Sequence, residues 1–233
     1  MSNKPMSPLM KLVKIVSAPS EAAVAIREKP DVLLPIVMMV LIPLIPILSN
    51  YQGYLDTLVA ALAINPQTSA MTADQLREIA QVSAITGIAF APVMMVVAWL
   101  VGSLILFGAV RIFGGECRYK QILSLKGYTS VFGLLTALVT MGVSMATGSS
   151  FTQQSYTSLL SLFPEIPSGF LAGIAAGVEL FSIWSVVVTG IGITVIAALT
   201  KKKAYIIVGI LFALGLLLTG LSGQIGAAFG GIG

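Results

Sequence analysis

Residues 84–110 read AITGIAFAPVMMVVAWLVGSLILFGAV, with no charged residue and apolar side chains on every side. A helix apolar all round has no face for water. A run of about 20 apolar residues or more matches the hydrocarbon core of a bilayer. Four further runs have the same character: 32–48, 128–146, 170–199 and 204–221. They are continuously apolar rather than alternating, so each predicts a helix and a membrane β-barrel is excluded. The predicted fold class is an all-α integral membrane protein, a five-transmembrane-helix bundle. The first run is short and holds Pro35, Pro43 and Pro46, which predicts a kink or partial unwinding near its outer end.

Composition agrees. Only 9% of the 233 residues are charged and 57% are hydrophobic. A soluble domain needs about a quarter charged residues to cover its surface, so lipid must be part of this chain's solvent. Histidine is absent, which removes the commonest general base and metal ligand. The single cysteine, Cys117, cannot form an internal disulfide or a zinc cage. No catalytic constellation, metal site or cofactor motif is legible, and the chain reads as a non-enzyme.

The basic residues fix an expected orientation. Lys4, Lys11, Lys14, Arg27 and Lys29 precede the first run, Arg111, Arg118, Lys120 and Lys126 lie between the second and third, and Lys201, Lys202 and Lys203 precede the fifth. The alternate gaps hold only Arg77. The positive-inside rule then places the N-terminus in the cytoplasm and the C-terminus outside. The sequence pI near 9.3 is explained by this topology and does not imply nucleic acid. No short apolar core with a small-residue cleavage site follows Met1, so the first run is expected to stay as an uncleaved span.

Three regions follow: a cytoplasmic amphipathic segment, 1–31; the five-helix domain, 32–221; and a Gly-rich tail, 222–233, expected to be poorly ordered or tucked against the membrane. In the first, Leu9, Leu12, Val13 and Val16 share one helical face flanked by Lys11 and Lys14. Such a helix lies on an anionic leaflet or packs on the protein's own loops. Pro19 breaks it, and Ser20 is expected to cap a second helix, Glu21–Lys29. In the outer gap 49–83, Tyr54–Ile64 is amphipathic, and Thr72 with Gln75 predicts a capping box for Ala73–Gln81. The Ser/Thr-rich loop Gly148–Ser168, with Phe151, Tyr156, Leu159, Leu160 and Phe163, is expected in the outer interface or over the bundle. No internal repeat is visible, which argues against an inverted-repeat transporter.

Glu179 is the one clear carboxylate inside a span. Charges there cost about 2.5–3.5 kcal/mol on insertion scales, so they face a partner or water. On a continuous helix, Glu179 shares a small, polar stripe with Ser182 and Thr189. That pattern suits a proton or cation site, or equally a near-interface carboxylate satisfied by neighbouring hydroxyls. Gly173 and Gly177 have the G-x-x-x-G spacing that lets helices approach closely. Met38, Met39, Met94, Met95, Met141 and Met145 fit flexible bundle filler better than a soft-metal site. Arg118 and Lys120 stand near Cys117, where cations favour a thiolate. Gly114-Gly115 lacks the G-K-S/T of a phosphate loop. Trp99 and Trp184 fall within spans and are expected to pack between helices.

Several motifs occur in a recognisable order. Ala18-Pro19-Ser20-Glu21-Ala22 is followed by Lys29-Pro30 and the first span. Gly114-Gly115 then precedes Tyr119-Lys120-Gln121-Ile122-Leu123-Ser124, Phe181-Ser182-Ile183-Trp184-Ser185 lies in the fourth span, and Lys201-Lys202-Lys203-Ala204 opens the fifth. Over about residues 12–218 this resembles the bacterial branch of the Yip family, the Ypt-interacting-protein-type membrane proteins. The resemblance implies a five-helix bundle with a cytoplasmic N-terminus and carries no catalytic residues. Eukaryotic members associate with Rab-type GTPases, and some bacterial relatives look like accessory subunits linked to ABC transporters. The chain lacks the long N-terminal extension of eukaryotic members, which favours a prokaryotic plasma membrane.

The expected function is a non-enzymatic scaffold or accessory protein. Its partners would be the lipid bilayer and a partner membrane protein or a second copy, met through a face comprising Pro19, Ser20, Glu21, Arg118, Lys120 and Lys126. The rival is a small transporter or channel with Glu179 in its pathway.

Overall fold

A computed structural model describes residues 5–65, 67–147, 155–163 and 165–228. Lys4, the stretch 148–154 with Phe151, Pro164 and residues 229–233 lie outside them. Among the described residues the chain is helical without strands. Three helical stretches are long and apolar enough to cross a membrane: Ala73–Ile112, Tyr119–Thr147 and Lys201–Ala227. Leu180–Ile196 is a shorter apolar helix. Two compact units emerge, one of Met1–Leu41, Met94–Leu134 and Phe181–Ala213, the other of Ile42–Val93, Leu135–Leu180 and Leu214–Gly233.

In the first unit, α1 (Pro8–Ser17) and α2 (Pro19–Glu28) pack on each other and on α7 (Tyr119–Thr129). Pro19 is the first residue of α2, where a helix has no N–H to lose. Ala18 is the N-cap, so Ser20 lies inside the first turn and does not cap as the sequence predicted. Ile15, Ala22, Ala23 and Ile26 are buried, while Leu9, Met10, Val13 and Val16 on α1 remain exposed. Helix α3 (Leu33–Leu41) packs on α7, and Gly127 makes this possible, since a Cβ there would collide with Pro35. Trp99 is 5% exposed and its Nε1 donates to Leu123 O at 3.1 Å. On α11 (Leu180–Ile196), a Cβ at Gly192 would meet Leu125 Cδ1 at 2.5 Å, so the Leu125 side chain of α7 rests against the α11 backbone there. Trp184 is 50% exposed, against the expected burial between helices, because it falls on the outward side of α11.

In the second unit, α4 (Leu44–Ser49) leads into α5 (Tyr51–Ile64), capped by Asn50 Oδ1 accepting from Gly53 N at 3.0 Å. Tyr54 and Leu55 pack with Ala80 and Ala84 into a small core. The first apolar run thus forms two helices, α3 and α4, interrupted at Ile42–Pro43. Pro35 and Pro46 each sit in the first turn of their helix, where the missing N–H costs nothing.

Helix α6 spans Ala73–Ile112, 40 residues, so the predicted outer helix and second span are one element. At 1.5 Å per residue it is about 60 Å long, roughly twice a hydrocarbon core of about 30 Å. Its predicted capping box is present: Thr72 N donates to Gln75 Oε1 at 3.0 Å and Gln75 N to Thr72 Oγ1 at 3.4 Å. Helix α8 (Val131–Thr147) follows α7 after Ser130. The short α9 (Leu159–Leu162) and α10 (Phe170–Gly177) belong to the second unit. Helix α12 (Lys201–Ala228) runs well past Leu221, so the glycine-rich sequence from 222 to 228 is helix, not an irregular tail. Close packing explains this: a Cβ on Gly223 would meet Gly169 O at 2.6 Å and Gly173 Cα at 3.0 Å. Glycine's helix penalty of about 1 kcal/mol is offset by this approach to α10.

Candidate functional sites

The fourth apolar run is interrupted where its carboxylate stands. Helix α10 ends at Gly177 and α11 begins at Leu180. The stretch before α9 lies alongside the gap as a single antiparallel bridge, Ser158 opposite Glu179. Leu159 N donates to Val178 O at 2.8 Å and Leu180 N to Thr157 O at 3.2 Å. These bonds satisfy backbone groups that a broken helix would strand in an apolar setting.

Glu179 is 5% exposed. Its Oε1 accepts from Thr136 Oγ1 of α8 at 3.1 Å and from Thr157 Oγ1. Ser155 and Thr157 share a hydroxyl contact at 2.8 Å, and Ser158 Oγ donates to Ser155 O at 2.8 Å. With hydroxyls from both elements on one oxygen, the carboxyl group ties α8 and the 155–158 stretch to the break. Its chemistry is that of hard oxygen donors, suited to a proton or a small cation. Among the described residues no group of three or more His, Cys, Asp or Glu is gathered for a metal.

The first unit holds a second polar constellation. Lys11 is 1% exposed, and its Nζ donates to Asp31 Oδ2 at 2.5 Å and Lys29 O at 2.5 Å. Tyr128 Oη donates to Asp31 Oδ1. Asp31 therefore joins α1, the head of the first apolar run and α7. Nearby, Gln121 Nε2 donates to Arg27 O at 2.7 Å, and Gln121 Oε1 accepts from Arg118 N at 2.8 Å. Arg27 Nη1 reaches Val195 O at 3.2 Å, and Lys203 Nζ reaches Phe113 O at 3.0 Å. Beside them a concavity of about 580 Å³ is lined by Arg111, Glu116, Cys117 and Arg118 among others. Burial pushes the Cys117 thiol up, partly opposed by the Arg111 guanidinium, so the sum runs against the depressed pKa that neighbouring cations suggested.

The pattern of the Yip1 domain matches residues 13–222. The chain belongs to the Yip1 domain family. It is also similar to Membrane protein YknW of Bacillus subtilis (strain 168), 29% identical over 219 residues, which is 94% of this chain and 92% of that protein. No solved structure matches.

In this Yip1-domain chain Glu179 stands in the break between α10 and α11, and Ser182 and Thr189 lie on α11. Thr189 is buried within α11 and Ser182 is half-buried. Gly173 faces Thr219 and Gly220 of α12, and a Cβ on Gly177 would meet Leu216 Cδ2 at 2.9 Å. On the other unit, Ser20, Arg118 and Lys120 are exposed and Pro19 and Lys126 are half-buried. Glu21 is exposed and paired with Lys14 at 2.9 Å. Sequence reasoning missed Thr136, Thr157, Lys11, Asp31 and Tyr128. The hydroxyl density of the 148–168 loop and the unexplained charge of Asp31 at the head of an apolar run were the available signals.

Proposed function

We propose that this Yip1-domain protein is a non-enzymatic accessory protein that docks a partner membrane protein on the face built from α1, α2 and the 111–126 segment. The supporting observation is the Lys11–Asp31–Tyr128 network, which locks two helices outside the long apolar spans onto α7 while leaving Leu9, Met10 and Val13 exposed. A buried ion pair is weak evidence for stability and better evidence for a fixed arrangement, as a docking platform requires. The same reading has five spans, a cytoplasmic N-terminus, an external C-terminus and a prokaryotic plasma membrane. The test is quantitative mass spectrometry of proteins co-purifying after gentle detergent extraction. A stoichiometric membrane partner that is lost on alanine substitution of Arg118, Lys120 and Lys126 is the expected result. Unchanged association in that variant rules out this face.

A second reading, a transporter or channel using Glu179, is favoured by one observation: the helix break at the buried carboxylate, since discontinuous helices line transporter sites. Glu179→Gln should then abolish proton or Na⁺ flux in proteoliposomes. Equal flux in variant and parent would reject Glu179 as the coupling group.

A further inference from the structure

The concavity beside α7 lies within the proposed docking face and is itself a candidate anion site. Arg111 lies in the last turn of α6, a stretch long and apolar enough to cross a membrane, and Arg118 precedes α7, which opens the next such stretch. The segment between them therefore lies at the depth where lipid headgroups begin. Arg111 and Arg118 line one hollow of about 580 Å³, and both are exposed. Among the described residues neither takes part in an ion pair, the pairs there being Lys11–Asp31 and Lys14–Glu21.

The backbone limits how an anion is held. Gly114 turns the chain with φ +85, and a Cβ on Gly115 would meet Val110 O at 3.0 Å and the Ala197 Cβ at 3.1 Å. The amides of Gly114, Gly115 and Glu116 are already committed to Arg111 O, Val110 O and Ala197 O. This is no amide cradle of the phosphate-loop kind. The side-chain amide of Gln121 donates to Arg27 O and accepts from Arg118 N. The charged donors of the hollow are the two guanidiniums, whose planar forks match phosphate oxygens. Glu116 lines the same hollow as an acceptor that pairs with no cation among the described residues. A bare phosphate dianion is repelled by that carboxylate. A phosphodiester carrying a free hydroxyl meets two guanidiniums at its phosphate and one acceptor at its hydroxyl.

We propose that Arg111, Arg118 and Glu116 bind a hydroxyl-bearing phosphodiester, presented as the headgroup of an anionic lipid such as phosphatidylglycerol. The site shares Arg118 with the proposed docking face, so it is tested on the purified protein with no partner present.

Cys117 lines the hollow and is the chain's only thiol, so it reports occupancy directly. Alkylation of the full-length protein would be timed in phosphatidylcholine nanodiscs, in nanodiscs with added phosphatidylglycerol, and in phosphatidylcholine nanodiscs with inorganic phosphate. At about ten times the half-saturating lipid fraction, mass action slows labelling about tenfold. Protection by the lipid alone supports the proposal. Protection by inorganic phosphate equal to that by lipid keeps an anion site but overturns the lipid source and the role of Glu116. Arg111→Gln/Arg118→Gln should abolish protection, each variant being compared with itself without lipid, whereas Lys202→Gln, exposed and outside the hollow, should retain it. A folded double variant, judged by a thermal melt matching the parent, that is still protected overturns the proposal, as does a parent protected by neither ligand. If the double variant fails to fold, Arg111→Lys/Arg118→Lys is the second test: point charges without the planar fork should weaken protection, and undiminished protection overturns the site.

Discussion

Asp31→Ala should release α1 from α7. The Lys11 ammonium is 1% exposed and loses its only carboxylate partner, keeping Lys29 O as an acceptor. Removing one member of a buried pair costs about 3–5 kcal/mol, because the other charge is stranded. Water reaches this pair through Asp31, whose side chain is 23% exposed, so the lower end, about 3 kcal/mol, applies. At 1.4 kcal/mol per decade, that raises the population with α1 open about 100-fold. The readout is alkylation of Ile15→Cys in a Cys117→Ala background, since Ile15 is 0% exposed on α1. Where closing outruns alkylation, the labelling rate follows the open population. Asp31→Ala should therefore label about 100-fold faster than its parent. Lys11→Met/Asp31→Ala should recover most of the protection, because no charge is left buried and Met fills similar volume. Identical rates in the single variant and the parent would refute the claim that Asp31 holds α1 in place.

Three further outcomes are open to direct measurement. Glu179→Ala removes the acceptor that the Thr136 and Thr157 hydroxyls share and should cost about 2 kcal/mol at about 1 kcal/mol per lost hydrogen bond, whereas Glu179→Gln should cost less. Thermal melts in detergent check this, and a Glu179→Ala melt equal to the parent's would remove the clamp role. Gly173→Leu should destabilise by about 1–3 kcal/mol or more through overpacking, since a Cβ there would stand 2.9 Å from Gly220 Cα, while Gly209→Ala, with open space, should melt like the parent. Cys117 should alkylate more slowly than a free cysteine at neutral pH, because burial holds it as the unreactive thiol, and its rate should keep climbing at pH values where a free thiol has levelled. Arg111→Gln removes the cation that favours the thiolate, so it should slow neutral-pH labelling further, and a faster rate would contradict the assignment.

What the sequence by itself determined is what depends on solvent and near neighbours. An uncharged, mostly apolar run of about 17 residues or more requires lipid whatever it packs against, so 84–110 and 204–221 announced helices able to cross a membrane. The Thr72–Gln75 cap, closed within one turn, was equally legible, as was the disruption that three prolines impose on 32–48. The tertiary structure decided what depends on partners far along the chain. The helix break at Glu179 exists because the 155–158 stretch supplies backbone partners for Val178 and Leu180, and nothing local in 170–199 signals it. The helicity of 222–228 rests on the glycine faces of α10 and α12 meeting, which outweighs the local cost of glycine. Lys11 looked like a flanking surface charge until Asp31 and Lys29 closed around it. Gln121 met Arg27 O across 94 positions in the same way, because hydrogen-bond and charge complementarity between distant residues is set by three-dimensional approach, not by spacing.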